Sequence, residues 1–303
     1  MPLVLDDSAV RRHLRMADLL PAMEKALIDY SAGRVQQPLR CRIAVDPPGG
    51  YFFSMPALGE ALGLKTVSYH PSNAARGLPT HRATIYLADA ASGVPLAEVD
   101  GRLITEMRTA AVSAVATRLL AAPDAQVLAI LGSGVQARSH IQALRLVRKF
   151  RDIRVWSPTR EHSERFARET GARATSAEDA VRGADVVVTV TNASQPVLRG
   201  AWLKPGCHVN AVGAPRPDWR ELDDEAMSHV VYVDSRAGAM NESGDIVLSG
   251  APIHAELGEA LAGVVSCRSG ETTVFKSLGM AVEDVTAAMI VYRAAVAEGM
   301  RAG

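Results

Sequence analysis

Three cationic side chains and one glycine-rich turn are the residues of this chain whose type and setting could do chemistry. Lys65 stands in Leu-Gly-Leu-Lys-Thr-Val, inside an otherwise apolar run. An ammonium there must reach water, pair with a carboxylate or serve a site. Arg108 and Thr109 fall in the opening turns of a stretch rich in Ala and Leu that ends at Pro123. The helix dipole favours an anion at that end, so Arg108 fits a clamp on a carboxylate or phosphate, or else a surface pair one turn away. Arg40 lies on the polar face of an alternating run, residues 39–45, where a solvated strand residue is the plain alternative to a ligand contact. Thr80 and His81 read as a loop before a strand that begins at Thr84.

The turn is Gly132-Ser-Gly134-Val-Gln-Ala137. The all-apolar Val127-Leu-Ala-Ile-Leu131 precedes it, and a helical pattern over residues 135–147 follows at once. A buried parallel strand that feeds a helix N-terminus has this form. Glycine lets the backbone come close to a pyrophosphate, and the helix end supplies unpaired N–H groups and partial positive charge. The spacing Gly-x-Gly-x-x-Ala is a variant of the dinucleotide fingerprint. Gly132, Gly134, Val135 and Gln136 are therefore expected cofactor contacts.

The next strand, residues 153–156, runs into Ser157-Pro-Thr159-Arg160. A free ribose 2′-hydroxyl usually meets a carboxylate at that tip. Here hydroxyls and a guanidinium stand there instead, and Glu161 comes one residue too late. Ser157, Thr159 and Arg160 suit a 2′-phosphate, so NADP(H) is expected over NAD(H). Further apolar strands at 186–191, 208–213 and 230–234 place Thr191 and Val212 at strand tips.

The elements that must position these groups fall into two sets. Residues 19–33 carry apolar positions at helical spacing, with Asp18 as the expected cap. Period-two runs then follow from residue 39 to residue 99 and predict an α+β domain on an antiparallel sheet. From residue 127 onwards, strands and helices alternate, as in a doubly wound α/β parallel sheet of Rossmann type. The chain has 303 residues, enough for two domains. Lys+Arg and Asp+Glu are 33 each, so no broad field attracts nucleic acid or a membrane surface. No apolar run approaches the roughly 18 residues of a membrane span, and the acidic start is unlike a signal peptide. Three scattered cysteines fit neither a disulfide framework nor a metal site. They predict buried thiols in a reduced cytoplasmic protein.

Taken together, Met107-Arg-Thr-Ala-Ala111, Leu131-Gly-Ser-Gly-Val-Gln-Ala137, Gly183-Ala-Asp-Val186, Val212-Gly-Ala-Pro-Arg-Pro-Asp-Trp-Arg-Glu-Leu222, Glu242-Ser-Gly-Asp245 and Thr273-Val-Phe-Lys-Ser-Leu-Gly-Met-Ala-Val-Glu-Asp284 resemble the ornithine cyclodeaminase/mu-crystallin family. The stretch from Arg216 to Leu222 and Val233-Asp-Ser235 are most similar to its mu-crystallin branch. The resemblance implies a Rossmann domain at 111–284, and an N-terminal domain at 1–110 that binds substrate, dimerises and is rejoined by a helix at 285–303. It implies a homodimer that uses NAD(P)(H) on α-amino or α-imino acids. Arg40, Lys65 and Arg108 match the family's catalytic and substrate-carboxylate positions, three cations around one pocket. Thr80, His81 and Ser277 match cofactor contacts, and Glu242 a substrate contact.

The chain departs from the cyclodeaminases at three places. Their catalytic aspartate is Pro215 here, a later lysine is Trp219, and Ser54-Met-Pro56 lacks their glutamate. The resemblance therefore implies a reductase of small α-imino carboxylates such as Δ1-pyrroline-2-carboxylate. The alternatives are a cyclodeaminase-type lyase with bound NAD, an amino-acid dehydrogenase, and an NADPH-dependent ligand binder without turnover.

Overall fold

The computed structural model describes residues 1–47, 49–268 and 270–300. Pro48, within the expected period-two runs, and residues 301–303 of the expected returning helix lie outside the described residues. The chain divides into two compact units, Met1–Arg108 with Met280–Gly303, and Thr109–Gly279. The return to the first unit therefore starts at residue 280 rather than 285, which gives Glu283 and Asp284 to the first unit.

The first unit holds strands β1 (Leu3–Leu5), β2 (Cys41–Val45), β3 (Gly50–Leu58), β4 (Leu62–Tyr69), β5 (His81–Ala88) and β6 (Pro95–Asp100), in the order β1-β6-β5-β4-β3-β2. The pairings from β2 to β6 are antiparallel, as expected, but β1 joins β6 in parallel. A three-residue strand is too short to display a period, which is why β1 was not legible in the sequence. His81 lies inside β5 rather than in a loop. Arg40 precedes β2 rather than sitting in mid-strand. As an edge strand, β2 is mostly exposed on both faces, with Ile43 57% exposed.

The helix Met16–Ser31 is capped at Arg15, not at Asp18, and carries Pro21 inside it. Met16 and Ala17 are good helix formers, so the helix begins earlier and Asp18 meets the dipole from within the first turn. The helix Ala281–Ala297 packs on β3, β4 and β5. It is buried on most of its circumference because the sheet and the helix Met16–Ser31 flank it. Its approach needs Gly63, where a Cβ would stand 2.4 Å from a Val285 methyl. Lys65, two residues on, shares that sheet face (period two) and lies between Met55 and Ile85 in register, both buried.

The second unit is an eight-stranded parallel sheet of β7 (Val127–Leu131), β8 (Asp152–Trp156), β9 (Arg173–Ala174), β10 (Val186–Thr189), β11 (His208–Ala211), β12 (Val230–Val233), β13 (Ile253–Glu256) and β14 (Thr273–Lys276). The order is β13-β12-β14-β11-β10-β7-β8-β9. Strand order reverses between β7 and β10, the switch point at which open α/β sheets take ligands. The central strands are buried on both faces, which is why they read as unbroken apolar runs. The expected strands at 186–191, 208–213 and 230–234 stop one or two residues early, and the helix expected to residue 147 ends at Leu144. Cys207 is buried as expected, but Cys41 is exposed and Cys267 half-buried. Among the described residues no helix is long and apolar enough to cross a membrane.

Candidate functional site

In the first unit, Lys65 and Arg108 meet two carboxyl groups from the first turn of the helix Ala281–Ala297. Lys65 Nζ donates to Asp284 Oδ1 at 2.8 Å, and Arg108 Nε donates to the same oxygen at 3.0 Å. Arg108 Nη1 donates to Glu283 Oε2 at 3.0 Å. All four side chains are at least 94% buried. Charges withdrawn this far from water persist only when paired. Of the three expected cations, Lys65 and Arg108 are paired with carboxyl groups of this helix. Arg40 is half-buried, and its charge reaches Lys65.

Burial draws the Lys65 ammonium down to about 8, with Asp284 opposing the fall and Arg108 and Arg40 adding to it. For Asp284, burial disfavours the charged form, but Arg108 and Lys65 outweigh it and hold the carboxyl below its usual range. A lysine with this pKa is mostly protonated at neutral pH yet gives up its proton far more readily than an ordinary lysine, which suits a general acid. Asp284 Oδ2 is buried and has no hydrogen-bond donor among the described residues. Thr80 and His81 are in the same unit. Their side chains lie 3.3 Å apart, and the His81 ring sits 4.4 Å from that of Tyr69.

In the second unit, Gly132 has φ +127°, and a Cβ there would stand 2.6 Å from the Val190 carbonyl oxygen. Only glycine fits. Gly134 is the N-cap of the helix Val135–Leu144 and makes no side-chain cap bond. A Cβ at Gly134 would meet nothing within 4 Å. The helix N–H groups therefore open onto space, which fits a pyrophosphate. Gln136 adds a buried Oε1 that has no partner among the described residues. Ala137, fully buried, is the small residue that lets helix and strand pack closely.

At the tip of β8, Thr159 caps the helix Arg160–Thr170 without a side-chain cap bond. Arg160 is 89% exposed and pairs with Glu164, one turn on, at 2.7 Å. Arg160 and Ser157 line an open pocket together with Ser163, Thr175 and Ser176.

The remaining expected contacts are held by groups that sequence reasoning missed. The Thr191 hydroxyl donates to Glu221 Oε1, so it is committed within the protein. Glu221 also accepts from Thr189 Oγ1 at 2.7 Å and Gly213 N at 2.8 Å. Burial pushes its carboxyl up, with Lys276 and the two threonines pulling the other way. Lys276 Nζ donates to Asp245 Oδ2 at 2.9 Å and to the Gly213 carbonyl. Between these anchors Ala214 takes φ +54°, a left-handed conformation costing about 1–2 kcal/mol in a residue with a Cβ. The loop that carries Val212 and Pro215 is thus pinned by buried ions. Ser277 is buried with its hydroxyl toward Asp234, which also accepts from Leu278 N and Gly279 N. Glu242 is half-buried at the end of the helix Arg236–Glu242, and Thr109 is buried.

The usable signal for the missed groups was charge inside apolar sequence. Glu283-Asp284 opens an apolar helix, and Lys276 ends Thr-Val-Phe-Lys. Both are costly unless paired.

A family model described as the ornithine cyclodeaminase/mu-crystallin family matches residues 1–299. The chain is 48% identical to the ketimine reductase mu-crystallin of Mus musculus over 302 residues, 96% of each protein. The structure of Thermococcus litoralis Δ1-pyrroline-2-carboxylate reductase, in complex with NADH and L-proline, superposes with a TM-score of 0.93 at 36% identity, covering 99% of both chains. An archaeal alanine dehydrogenase dimer with bound NAD superposes with a TM-score of 0.93 at 32% identity, covering 99% of this chain and 98% of that one.

Proposed function

The chain belongs to the ornithine cyclodeaminase/mu-crystallin family, and from that premise we propose that it is an NAD(P)H-dependent reductase of small α-imino carboxylates. The substrate class is that of Δ1-pyrroline-2-carboxylate and Δ1-piperideine-2-carboxylate. The observation that carries this reading is Lys65, a fully buried lysine poised at about 8 beside a buried arginine. An imine needs a proton on nitrogen as its carbon accepts hydride, and such a lysine can supply it.

The nicotinamide cofactor, when bound, supplies the hydride. Gly132, Gly134, Val135 and Gln136 would hold its pyrophosphate at the helix N-terminus. Thr80, His81, Thr109, Thr191, Val212 and Ser277 would be its further contacts, although the hydroxyl and N–H groups of Thr191 and Ser277 are already engaged within the protein. Ser157, Thr159 and Arg160 favour a 2′-phosphate, hence NADP(H) over NAD(H). Arg40 and Arg108 orient the substrate carboxylate, Lys65 protonates the nitrogen, and Glu242 borders the substrate. Products are the α-amino acid and oxidised cofactor, and Lys65 regains its proton from solvent. The working form is a homodimer, in keeping with the dimeric alanine dehydrogenase relative.

Loss of cofactor absorbance with a panel of cyclic and linear α-imino acids tests the reading. Turnover should require the imine. Lys65→Met should lower it about 100-fold or more while NADPH still binds. Ammonia released from ornithine without added reductant would make the protein a lyase instead. Pro215, which has no carboxylate to activate water, argues against that. Cofactor binding without turnover on any imine would make it a ligand binder.

A further inference from the structure

Resting on that reading, we propose that Asp284 is itself a substrate contact: with Oδ1 committed to Lys65 and Arg108, its Oδ2 accepts the N–H of the imino or amino nitrogen. Four observations converge on this atom. Asp284 is fully buried. Both of its cationic partners bind the same oxygen. Oδ2 has no donor among the described residues. The cations keep the carboxyl ionised, so Oδ2 is a charged acceptor rather than a neutral one.

A buried carboxylate oxygen without a donor is costly, and a ligand that brings its own N–H removes that cost on binding. The geometry also reads the ligand's polarity. A carboxylate is drawn to Lys65 and Arg108 and repelled by Oδ2. An iminium or secondary ammonium is drawn to Oδ2 and repelled by the two cations. In an α-imino acid these groups sit on adjacent carbons of one small molecule, so the two ends of the cluster fix its orientation together. As Lys65 hands its proton to the imine nitrogen, the new N–H finds its acceptor in Oδ2. Once the carbon is reduced, the product would leave as the amine. A carboxylate with no nitrogen gains nothing from Asp284.

The test compares two ring-sized ligands in competition with the imine, in the presence of oxidised cofactor: L-proline, and cyclopentanecarboxylate, which has the same outline without the nitrogen. The wild type should bind L-proline the more tightly. Asp284→Asn should raise the inhibition constant of L-proline at least tenfold and leave that of cyclopentanecarboxylate within about threefold. Equal rises for both would mean that Asp284 only holds the two cations in place, and would overturn the proposal. So would unchanged constants, or a wild type with no preference for L-proline. Should Asp284→Asn fail to fold, Asp284→Asn combined with Lys65→Met removes both charges. The same ratio is then read by direct binding against Lys65→Met alone. A wild type that keeps the L-proline preference but reduces no imine would sink the reductase reading and leave the Asp284 contact standing.

Discussion

Replacing Gly134 by alanine should separate cofactor affinity from stability. Gly134 has φ −83° and ψ −166°, an extended conformation that alanine adopts without strain. A Cβ there meets no atom within 4 Å. Loss of glycine's freedom in the unfolded chain stabilises by about 0.4–1 kcal/mol. Alanine is the poorer N-cap by a similar amount, about 0.5–1 kcal/mol. The two nearly cancel, and in a chain of this size the melting temperature should move by no more than about 2 °C. The same methyl group would stand where the pyrophosphate approaches the helix N–H groups. Displacing one charge-assisted hydrogen bond costs about 1.5–3 kcal/mol, so the Kd for NADPH should rise roughly 10- to 100-fold. Fluorescence titration of NADPH and a thermal melt of the same preparation measure both quantities. A Kd within twofold of wild type, with the melt unchanged, would show that no phosphate lies over this turn. Gly132→Ala is the contrasting control: its Cβ meets the Val190 carbonyl oxygen at 2.6 Å and φ is +127°, so stability should fall first.

The Lys65 ammonium must be protonated to act as an acid. With its pKa drawn down to about 8, kcat/KM for the imine should fall tenfold per pH unit above about pH 8; a profile flat to pH 9.5 would take Lys65 out of the proton transfer. Arg160→Ala should weaken NADPH about tenfold and leave NADH untouched, as read from KM for each cofactor; equal effects on both would remove the 2′-phosphate contact. His140 and His208 are fully buried, and burial lowers them to about 4 and about 3. The unfolded chain binds these protons first, so their contribution is complete above about pH 6.5 and is lost as pH falls toward 4. The urea midpoint should therefore drop between pH 7 and pH 4.5, and a constant midpoint would contradict this account.

The glycine turn was legible because its meaning is local. An all-apolar strand, a residue that tolerates positive φ and a helix start sit within eleven consecutive positions. The same holds for the strands of the second sheet, whose burial on both faces leaves an unbroken apolar run. Lys65 and Arg108 could be singled out by their settings, since a charge in apolar sequence demands an explanation. What they meet could not be read. Asp284 is 219 positions from Lys65 and 176 from Arg108. The two partners are brought together only because the helix Ala281–Ala297 returns to lie on β4. Likewise β14 inserts between β11 and β12, and this places Lys276 beside Asp245 and the Gly213 carbonyl, a pairing that no spacing encodes. Sequence specifies conformations that neighbouring residues enforce on each other. The charge balance of a buried cluster is settled by which distant segments close around it, because only folding removes the water that would otherwise solvate each ion alone.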